Sequence, residues 1–413
     1  MQLGLAGERE IAGPTRARSR FRSNGVGYLR TVSTVRILVT GATGYVGSRL
    51  VSALLDVGHD VVAASRNPHR LADFGWRDQV TGVTLDAHDD ASAKKAFADA
   101  GPIDVVYYLV HGIGQPDYRD ADNRAAAIVA NAAKDTGVRR VVYLGGFVPD
   151  VDELSEHLTS RAEVAHALSV DGGPDVVWLG AAMIIGSGST SFEMLRYVGD
   201  RFVLMPMPAW SVNPMDPISI RDVLYYLVAA ADGECVPAGA YDIFGPETTS
   251  YGELLRAYAR ISGKWRAELP VPGVDSSVVS WMTAAMLPVP GGLAADLVES
   301  LDHPMMASEA RLCDVVPDPP GGLLGIDQAI SRALSSDRPR PVDELADPHH
   351  LADTDPTWAG GDTVRIQQLA RAVTPSIARP ALGLLALVPG PVAAALRTGL
   401  DALINLAPKA STA

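Results

Sequence analysis

Residues 35–47, Val-Arg-Ile-Leu-Val-Thr-Gly-Ala-Thr-Gly-Tyr-Val-Gly, constrain this chain more than any other stretch. Ile37 to Val39 is apolar, uncharged and followed closely by glycine, the pattern of a short buried strand. Ser48 to Val57 then reads as a helix, with Val46, Leu50, Ala53, Leu54 and Val57 on one side. Between them Gly41, Gly44 and Gly47 follow the spacing G-x-x-G-x-x-G. A strand, a glycine turn and a helix N-terminus make an anion site, because free amides and the positive end of the helix dipole face whatever lies over the turn. Gly41 permits the tight turn, Gly44 lets a pyrophosphate approach the backbone, and Gly47 lets the helix sit close on the strand.

Buried strands and helices alternate after this point. His59 to Arg66 reads as a second strand, Val80 to Leu85 as a third and Asp104 to Val110 as a fourth. Ala121 to Thr136 is an alanine-rich helix stopped by Gly137, and Val141 to Gly146 is a fifth strand. Val176 to Ile185 is a sixth. The alternation predicts an α/β fold with a doubly wound, parallel Rossmann sheet. A small, mostly helical C-terminal cap region and a helical tail are expected to follow.

In a site of this kind an acidic residue near the end of the second strand holds the ribose 2′-hydroxyl of NAD. Here the strand ends Ser65-Arg66-Asn67. A hydroxyl and a guanidinium suit a 2′-phosphate that a carboxylate would repel, so NADP(H) is expected over NAD(H), with Arg66 as the main contact and Ser65 in support. Arg70 reads as a second cation or as a helix-surface charge. Asp86, at the end of the third strand, reads either as the cap of the next helix or as a partner of the adenine amine. The remaining cofactor contacts are expected from Gly41, Thr43, Gly44, Tyr45, Val46 and Gly47 in the turn, and from Leu109, Val110 and His111 after the fourth strand.

Length and composition set outer bounds. The chain's 413 residues suffice for two or three domains, and 47% hydrophobic content supports a large core. A net charge of −13 argues against nucleic acid as a partner, which would need a basic face. Cys235 and Cys313 are the only cysteines, too few for a metal cluster or a disulfide framework, which fits a reducing cytoplasm. No uninterrupted apolar run of spanning length and no secretory pattern is read.

Domain boundaries follow from shifts in composition. Residues 1–34 read as a disordered basic extension, with Arg9, Arg16, Arg18, Arg20, Arg22 and Arg30 among small polar residues; a native start at Val32 or Val35 is expected. Residues 35–250 form the nucleotide-binding domain, with substrate loops interleaved at 186–215. Residues 251–335 form the cap, and 336–362, rich in Asp, Pro and His, form a linker in which His349-His350 has no partners. Residues 363–413 form a basic amphipathic tail: Val392, Leu396, Leu400, Leu403 and Ile404 share a helix face, and Arg365, Arg371, Arg379, Arg397 and Lys409 oppose only Asp401. That tail is read as a peripheral contact with the inner face of a membrane, or as docked on the protein's own cap or a sister subunit in a homodimer.

The chain resembles the short-chain dehydrogenase/reductase superfamily in its extended and atypical branches. More narrowly it is similar to the NmrA-like, NAD(P)H-binding proteins of bacteria, which are related to the NADPH-binding accessory subunit of respiratory complex I. The resemblance is carried by Thr40-Gly-Ala-Thr-Gly-Tyr-Val-Gly47, Tyr108-Leu-Val-His111, Gly137-Val-Arg-Arg-Val-Val-Tyr-Leu-Gly-Gly146, His157-Leu-Thr-Ser-Arg-Ala-Glu163 and Ile185-Gly-Ser-Gly-Ser-Thr-Ser-Phe-Glu193. Pro217-Ile-Ser-Ile-Arg-Asp-Val223 and Tyr241-Asp-Ile-Phe-Gly-Pro-Glu247 extend it, so that it covers residues 35–335.

The resemblance implies a serine or threonine after the fifth strand and Tyr-x-x-x-Lys on the next helix. In that arrangement the hydroxyl polarises a carbonyl and the tyrosine delivers a proton while the cofactor delivers hydride. This chain departs at each place: Gly145-Gly146 stands for the serine, His157 for the tyrosine and Arg161 for the lysine. The i, i+4 spacing survives, so His157 is the candidate proton donor and Arg161 the candidate ribose or phosphate contact; the alternative is that both only line the pocket. Ser187, Ser189 and Ser191 are read as ligand contacts or as an ordinary polar loop. Met205, Met207 and Trp210 are read as an apolar substrate wall or as simple packing. The expected activity is NADP(H)-dependent hydride transfer to a small carbonyl or quinone-like substrate. The alternatives are a non-catalytic NADPH-binding regulator or assembly factor, and a sugar-nucleotide epimerase-like enzyme. No metal is expected.

Overall fold

The computed structural model describes residues 34–112, 118–147, 156–271, 273, 286–308, 311–335, 338–362 and 364–365, with backbone only at 156–159 and 296. The extension at 1–33, most of the tail at 366–413 and the cap residues 274–285 lie outside the described residues.

Seven strands form one parallel sheet. In chain order they are β1 (Arg36–Val39), β2 (Asp60–Ser65), β3 (Thr81–Thr84), β4 (Val105–Tyr108), β5 (Arg140–Gly146), β6 (Asp175–Ala181) and an edge strand (Gly239–Asp242). Their order across the sheet is β3, β2, β1, β4, β5, β6 and then the Gly239–Asp242 strand. Every neighbouring pair is parallel, from Val39 beside Ala63 and Tyr107 to Tyr241 beside Leu179. The order reverses between β1 and β4, so the crevice opens at the carboxyl ends of those two strands.

Side-chain alternation makes the two layers. Ile37, Val39, Val61, Ala63, Val105, Tyr107 and Val142 point to one face, where they pack with Leu50, Val51 and Leu54 of helix α1 (Tyr45–Asp56) and with the apolar helix Ile220–Ala229. Leu38, Val62, Ala64, Val106, Tyr108, Val141 and Tyr143 point to the other. There they meet α2 (Asp90–Ala100), α3 (Tyr118–Asp135) and α4 (Glu156–Leu168). Because both faces are covered, the strands carry apolar residues in succession rather than strict alternation.

The chain then leaves the sheet. The sixth strand ends at Ala181 rather than running on to Ile185: Ile184–Ile185 is a separate strand, β7, paired with Ile218–Ser219. Helix α5 (Thr190–Arg201) follows, then strand β8 (Leu204–Met207). The cap is built from the helices Tyr251–Ile261, Gly291–Ser300 and Ile326–Leu334. Leu254, Leu255, Tyr258, Ile330 and Ala333 close it against Phe192 and Leu195 of α5.

Residues 338–362 overturn the linker expectation. They form an ordered strap in which Val342, Leu345, Leu351, Ala352 and Ala359 are buried. The strap crosses α1, where Asp355 meets Arg49 as a buried ion pair with both side chains almost fully shielded. Arg49 donates to both Asp355 oxygens at 2.9 and 2.7 Å and to the carbonyls of Pro348, His350, Ser187 and Tyr45. Further along, Arg201 donates to both Asp362 oxygens. The amide of Gly360 donates to Glu193, which also takes the Gly188 amide. The histidines have partners as well: His349 bonds Asp347 and His350 bonds Ser335. A composition rich in Asp, Pro and His hides a strap because its apolar anchors are spaced irregularly and its carboxylates find buried partners far away in sequence.

Candidate functional site

The turn between β1 and α1 has the geometry its glycines require. Gly41 sits at φ +68°, and a Cβ there would lie 2.7 Å from the Leu109 carbonyl oxygen. Its own carbonyl accepts from the Gly44 amide at 2.9 Å, closing the turn. Gly44, exposed, caps α1 in an extended conformation. At Gly47 a Cβ would stand 2.1 Å from the Gly41 oxygen, so helix and turn touch backbone to backbone. The amides of Tyr45, Val46 and Gly47 belong to the first helical turn and have no carbonyl one turn behind them to bond. Thr40 fixes the floor: its hydroxyl donates to the Tyr107 carbonyl and accepts from the Leu109 amide.

A cleft of about 730 Å³ opens over this turn. From the turn Gly41, Thr43 and Gly44 line it; from β2 and its exit, Ser65, Arg66, Asn67 and Arg70; from the β3 exit, Asp86 and His88. Leu109, Val110, His111 and Gly112 line it after β4, and Tyr118 and Asp122 line it from the first turns of α3. The volume lies within the range of small-ligand and cofactor sites.

Three expected contacts are not among the residues lining this cleft: Tyr45, Val46 and Gly47. The Tyr45 ring lies under the Arg49 guanidinium, 4.1 Å from it, and its buried hydroxyl has no partner among the described residues. Val46 packs on the apolar layer beside α1, and Gly47 has no side chain to offer. These residues face the interior because the helix turns its apolar side to the sheet. Only their amides remain for the cradle.

At the β2 exit the geometry refines the sequence reading. The Ser65 hydroxyl accepts from the Asn67 amide at 3.3 Å and donates to the Asn67 carbonyl at 3.0 Å, so its single proton is committed to the turn. Arg66 is exposed and has no ion pair among the described residues. Arg70, expected on a helix surface or as a second cation, is brought to the same wall by the short 3-10 helix Pro68–Asp73. Asp86 does not cap α2. Asp89 does, accepting from the Ala91 amide at 3.0 Å, while Asp86 accepts from the His88 amide and stiffens the turn before it.

The far end of the cleft combines a histidine and a buried acid, and both feel the charge of Arg161, which is not itself among the lining residues. His111 is exposed and lines the cleft; desolvation, and then the nearby Arg161 charge, push it down to about 3, so the imidazole is neutral near neutral pH. Asp122, 2% exposed, accepts from the Gly112 amide at 3.0 Å, and burial raises its pKa. His88, Tyr118 and Asp122 were not expected from sequence. The α3 signal was available, since positions 118 and 122 share a helix face at the strand exits.

Of the catalytic candidates, Arg161 lies in α4 with its stem 3.7 Å from where a Cβ on Gly146 would be. His157 falls in the first turn of the same helix, and its side chain lies outside the described residues. Tyr143 is a buried strand residue, as expected, its hydroxyl donating to the Arg161 carbonyl. Gly145 could not carry the missing serine, because a Cβ there would lie 2.7 Å from Trp178 Nε1.

The expected substrate loop is structural. Ser187 is buried and donates to the Ala333 carbonyl at 2.6 Å while accepting from Arg196. Ser189 is buried at the start of α5. Met205 and Trp210 are packed in two apolar clusters, Trp210 against Tyr251. Among the described residues no group of side chains could hold a metal ion.

Comparison with known proteins agrees with this geometry. Residues 41–170 match the NAD(P)H-binding family, and the chain thus carries an NAD(P)H-binding domain. It is similar to the NADH dehydrogenase [ubiquinone] 1 alpha subcomplex subunit 9 of Arabidopsis thaliana mitochondria, 23% identical over 62% of this chain and 65% of that one. It is also similar to a (4-alkanoyl-5-oxo-2,5-dihydrofuran-3-yl)methyl phosphate reductase of Streptomyces griseus, 26% identical over 68% of this chain and 92% of that one. Among solved structures, a nucleoside-diphosphate-sugar epimerase from Staphylococcus aureus superposes with a TM-score of 0.57 at 18% identity, covering 72% of this chain and 99% of that one. The low identity makes this a likeness of fold.

Proposed function

We propose that the protein is an NADP(H)-dependent oxidoreductase that transfers hydride to a small carbonyl or quinone-like substrate. The observation that carries the cofactor preference is the wall at the β2 exit. Arg66 and Arg70 line the cleft there, and the strand ends without a carboxylate. A 2′-phosphate suits two guanidinium groups, which bind planar oxygen arrays in a fixed fork. The cradle fits the rest of the dinucleotide: Gly41 and Gly44 leave its floor free of side chains, and the amides of Tyr45, Val46 and Gly47 would hold the pyrophosphate. Bound NADPH would supply the hydride. In this reading Arg161 holds the ribose or its phosphate and His157 donates the proton. Neutral His111 offers a ring N–H to a ribose hydroxyl. The reductase relative, matched over 92% of its length, supports reduction as the reaction.

Titration calorimetry of the purified chain tests the preference. NADPH should bind at least about tenfold more tightly than NADH, and Arg66→Ala with Arg70→Ala should remove that advantage while sparing NADH. Equal binding of the two cofactors by the unaltered chain overturns the preference. For turnover, NADPH oxidation is followed across a panel of carbonyls and quinones, and His157→Ala should abolish it with binding intact.

One observation favours a second reading, a cofactor-binding regulator without turnover. Gly145 has no room for the missing hydroxyl residue. Tight NADPH binding without oxidation across the panel selects it.

A further inference from the structure

The ribbon formed by β8 and the strand Ala267–Pro270 presents an unusual face. The two run parallel, with Leu204 beside Ala267 and Pro206 beside Leu269. Met205 points inward and is buried in the cap cluster, so Leu204 and Pro206 belong to the opposite face. Leu204 is 55% and Leu269 47% exposed, where a solvent face ordinarily carries polar residues. Trp265, just before the second strand, is 75% exposed. It stands between Lys264, which pairs with Asp200, and Arg266, whose guanidinium donates to the carbonyls of Gly199, Asp200 and Trp265.

We propose that this face, centred on Leu204, Trp265 and Leu269, docks on an anionic lipid surface. An exposed tryptophan flanked by cations and joined to aliphatic side chains suits the headgroup boundary, where an amphipathic ring has one end dry and the other wet. The described chain ends near the start of this ribbon. Arg365 lies over the Tyr197 ring beside Arg201, the last residue of α5, from which the chain passes directly into Leu204. The sequence that continues, residues 366–413, carries Arg371, Arg379, Arg397 and Lys409 against Asp401 alone, a basic end on a chain of net charge −13. Basic residues near a bilayer add attraction to anionic headgroups that salt weakens. The ribbon supplies the apolar contact, and the continuing sequence supplies the charge.

The test uses the full chain and two vesicle populations, phosphatidylcholine alone and phosphatidylcholine with roughly one quarter phosphatidylglycerol. The chain should co-sediment with the anionic vesicles about tenfold better than with the neutral ones, and added salt should weaken it. Leu204→Ser with Trp265→Ser and Leu269→Ser should lower that partitioning by about tenfold or more, with NADPH binding unchanged. Brominated acyl chains should quench the tryptophan emission of the unaltered chain, and Trp265→Phe should remove most of the quenching. Equal partitioning of the triple variant, or quenching that survives Trp265→Phe, overturns the proposal. So does absence of vesicle binding by a chain that sediments as a dimer which the triple variant dissociates; that result assigns the face to a second copy.

Discussion

Two glycines of the same turn should fail in different ways when each receives a methyl group. At Gly47 a Cβ would lie 2.1 Å from the Gly41 oxygen, 2.9 Å from its carbonyl carbon and 3.1 Å from the Ala42 Cα, all backbone atoms. That is more than an ångström short of ordinary contact, so Gly47→Ala must push α1 off the turn. Overpacking of this kind costs about 1–3 kcal/mol, against which the better helix propensity of alanine returns about 1 kcal/mol. At Gly44 the only close atom is the Gly41 oxygen at 3.2 Å, and the backbone is extended at φ −85°. Because Gly44 is the N-cap of α1, where glycine is favoured over alanine, Gly44→Ala should cost about 0.5–1 kcal/mol while placing a methyl over the cradle. Urea unfolding with and without NADPH separates the two. At NADPH one hundred times its Kd, a ligand stabilises the native chain by about 2.7 kcal/mol, and a tenfold weaker site gains only about 1.4 kcal/mol. Gly47→Ala should lose on both counts; Gly44→Ala should lose chiefly ligand stabilisation. If Gly47→Ala keeps full stability and full ligand stabilisation, the packing argument fails. If Gly44→Ala keeps full ligand stabilisation, the cradle argument fails.

Other substitutions probe the surroundings. Asp355→Asn leaves the Arg49 charge buried without its carboxylate and should cost about 3–5 kcal/mol in urea unfolding, since breaking a buried pair is far worse than lacking one. Gly146→Ser should be tolerated, because its nearest atoms would be 3.7 and 3.8 Å away, whereas Gly145→Ser should lower the Tm by crowding Trp178. If the missing hydroxyl limits turnover, Gly146→Ser is the place to restore it, read as kcat in the oxidation assay. His59 is 5% exposed and burial lowers its pKa, so the unfolded chain gains the proton first as pH falls. His59 alone should remove up to about 1.4 kcal/mol per pH unit as pH falls from about 6.5, His111 and His350 add to the slope in the same direction, and His59→Leu should reduce it by its own share.

Six strands of the sheet were legible because each carries a short apolar, often β-branched run and the helices between them show in the spacing, whereas the edge strand Gly239–Asp242 carries no such run and the order of the strands is set by distant pairing. The limits of β1, β2 and β5 moved by a residue or so. The turn was legible for a stronger reason: Gly41 and Gly47 have no substitute at their positions. Contacts that depend on distant pairing were not readable. Ser187 reads as a loop hydroxyl until Ala333 and Arg196 arrive beside it. Arg70 reads equally as a second cation or a surface charge until a 3-10 turn brings it to the cleft. Asp86 reads as a cap until the path of the turn gives that role to Asp89, three residues on. The strap failed most completely, because composition says nothing about a carboxylate that waits for an arginine far back in the chain.

That arginine has a consequence for how the chain comes off the ribosome. Arg49 is made early, on the helix that carries the cradle, while Asp355, Pro348 and His350 are made last among its partners. At elongation rates of about 5–20 residues per second, the intervening 306 positions take on the order of a quarter of a minute to a minute. Throughout that interval Arg49 lacks the carboxylate that pairs with it in the folded chain. The nascent nucleotide-binding half would leave the tunnel with Arg49 unpaired on α1, and its pairing with Asp355 would come late in assembly, followed only by contacts such as that of Arg201 with Asp362. Chains stalled before residue 355 should be more readily cut by protease along α1 than chains released after it.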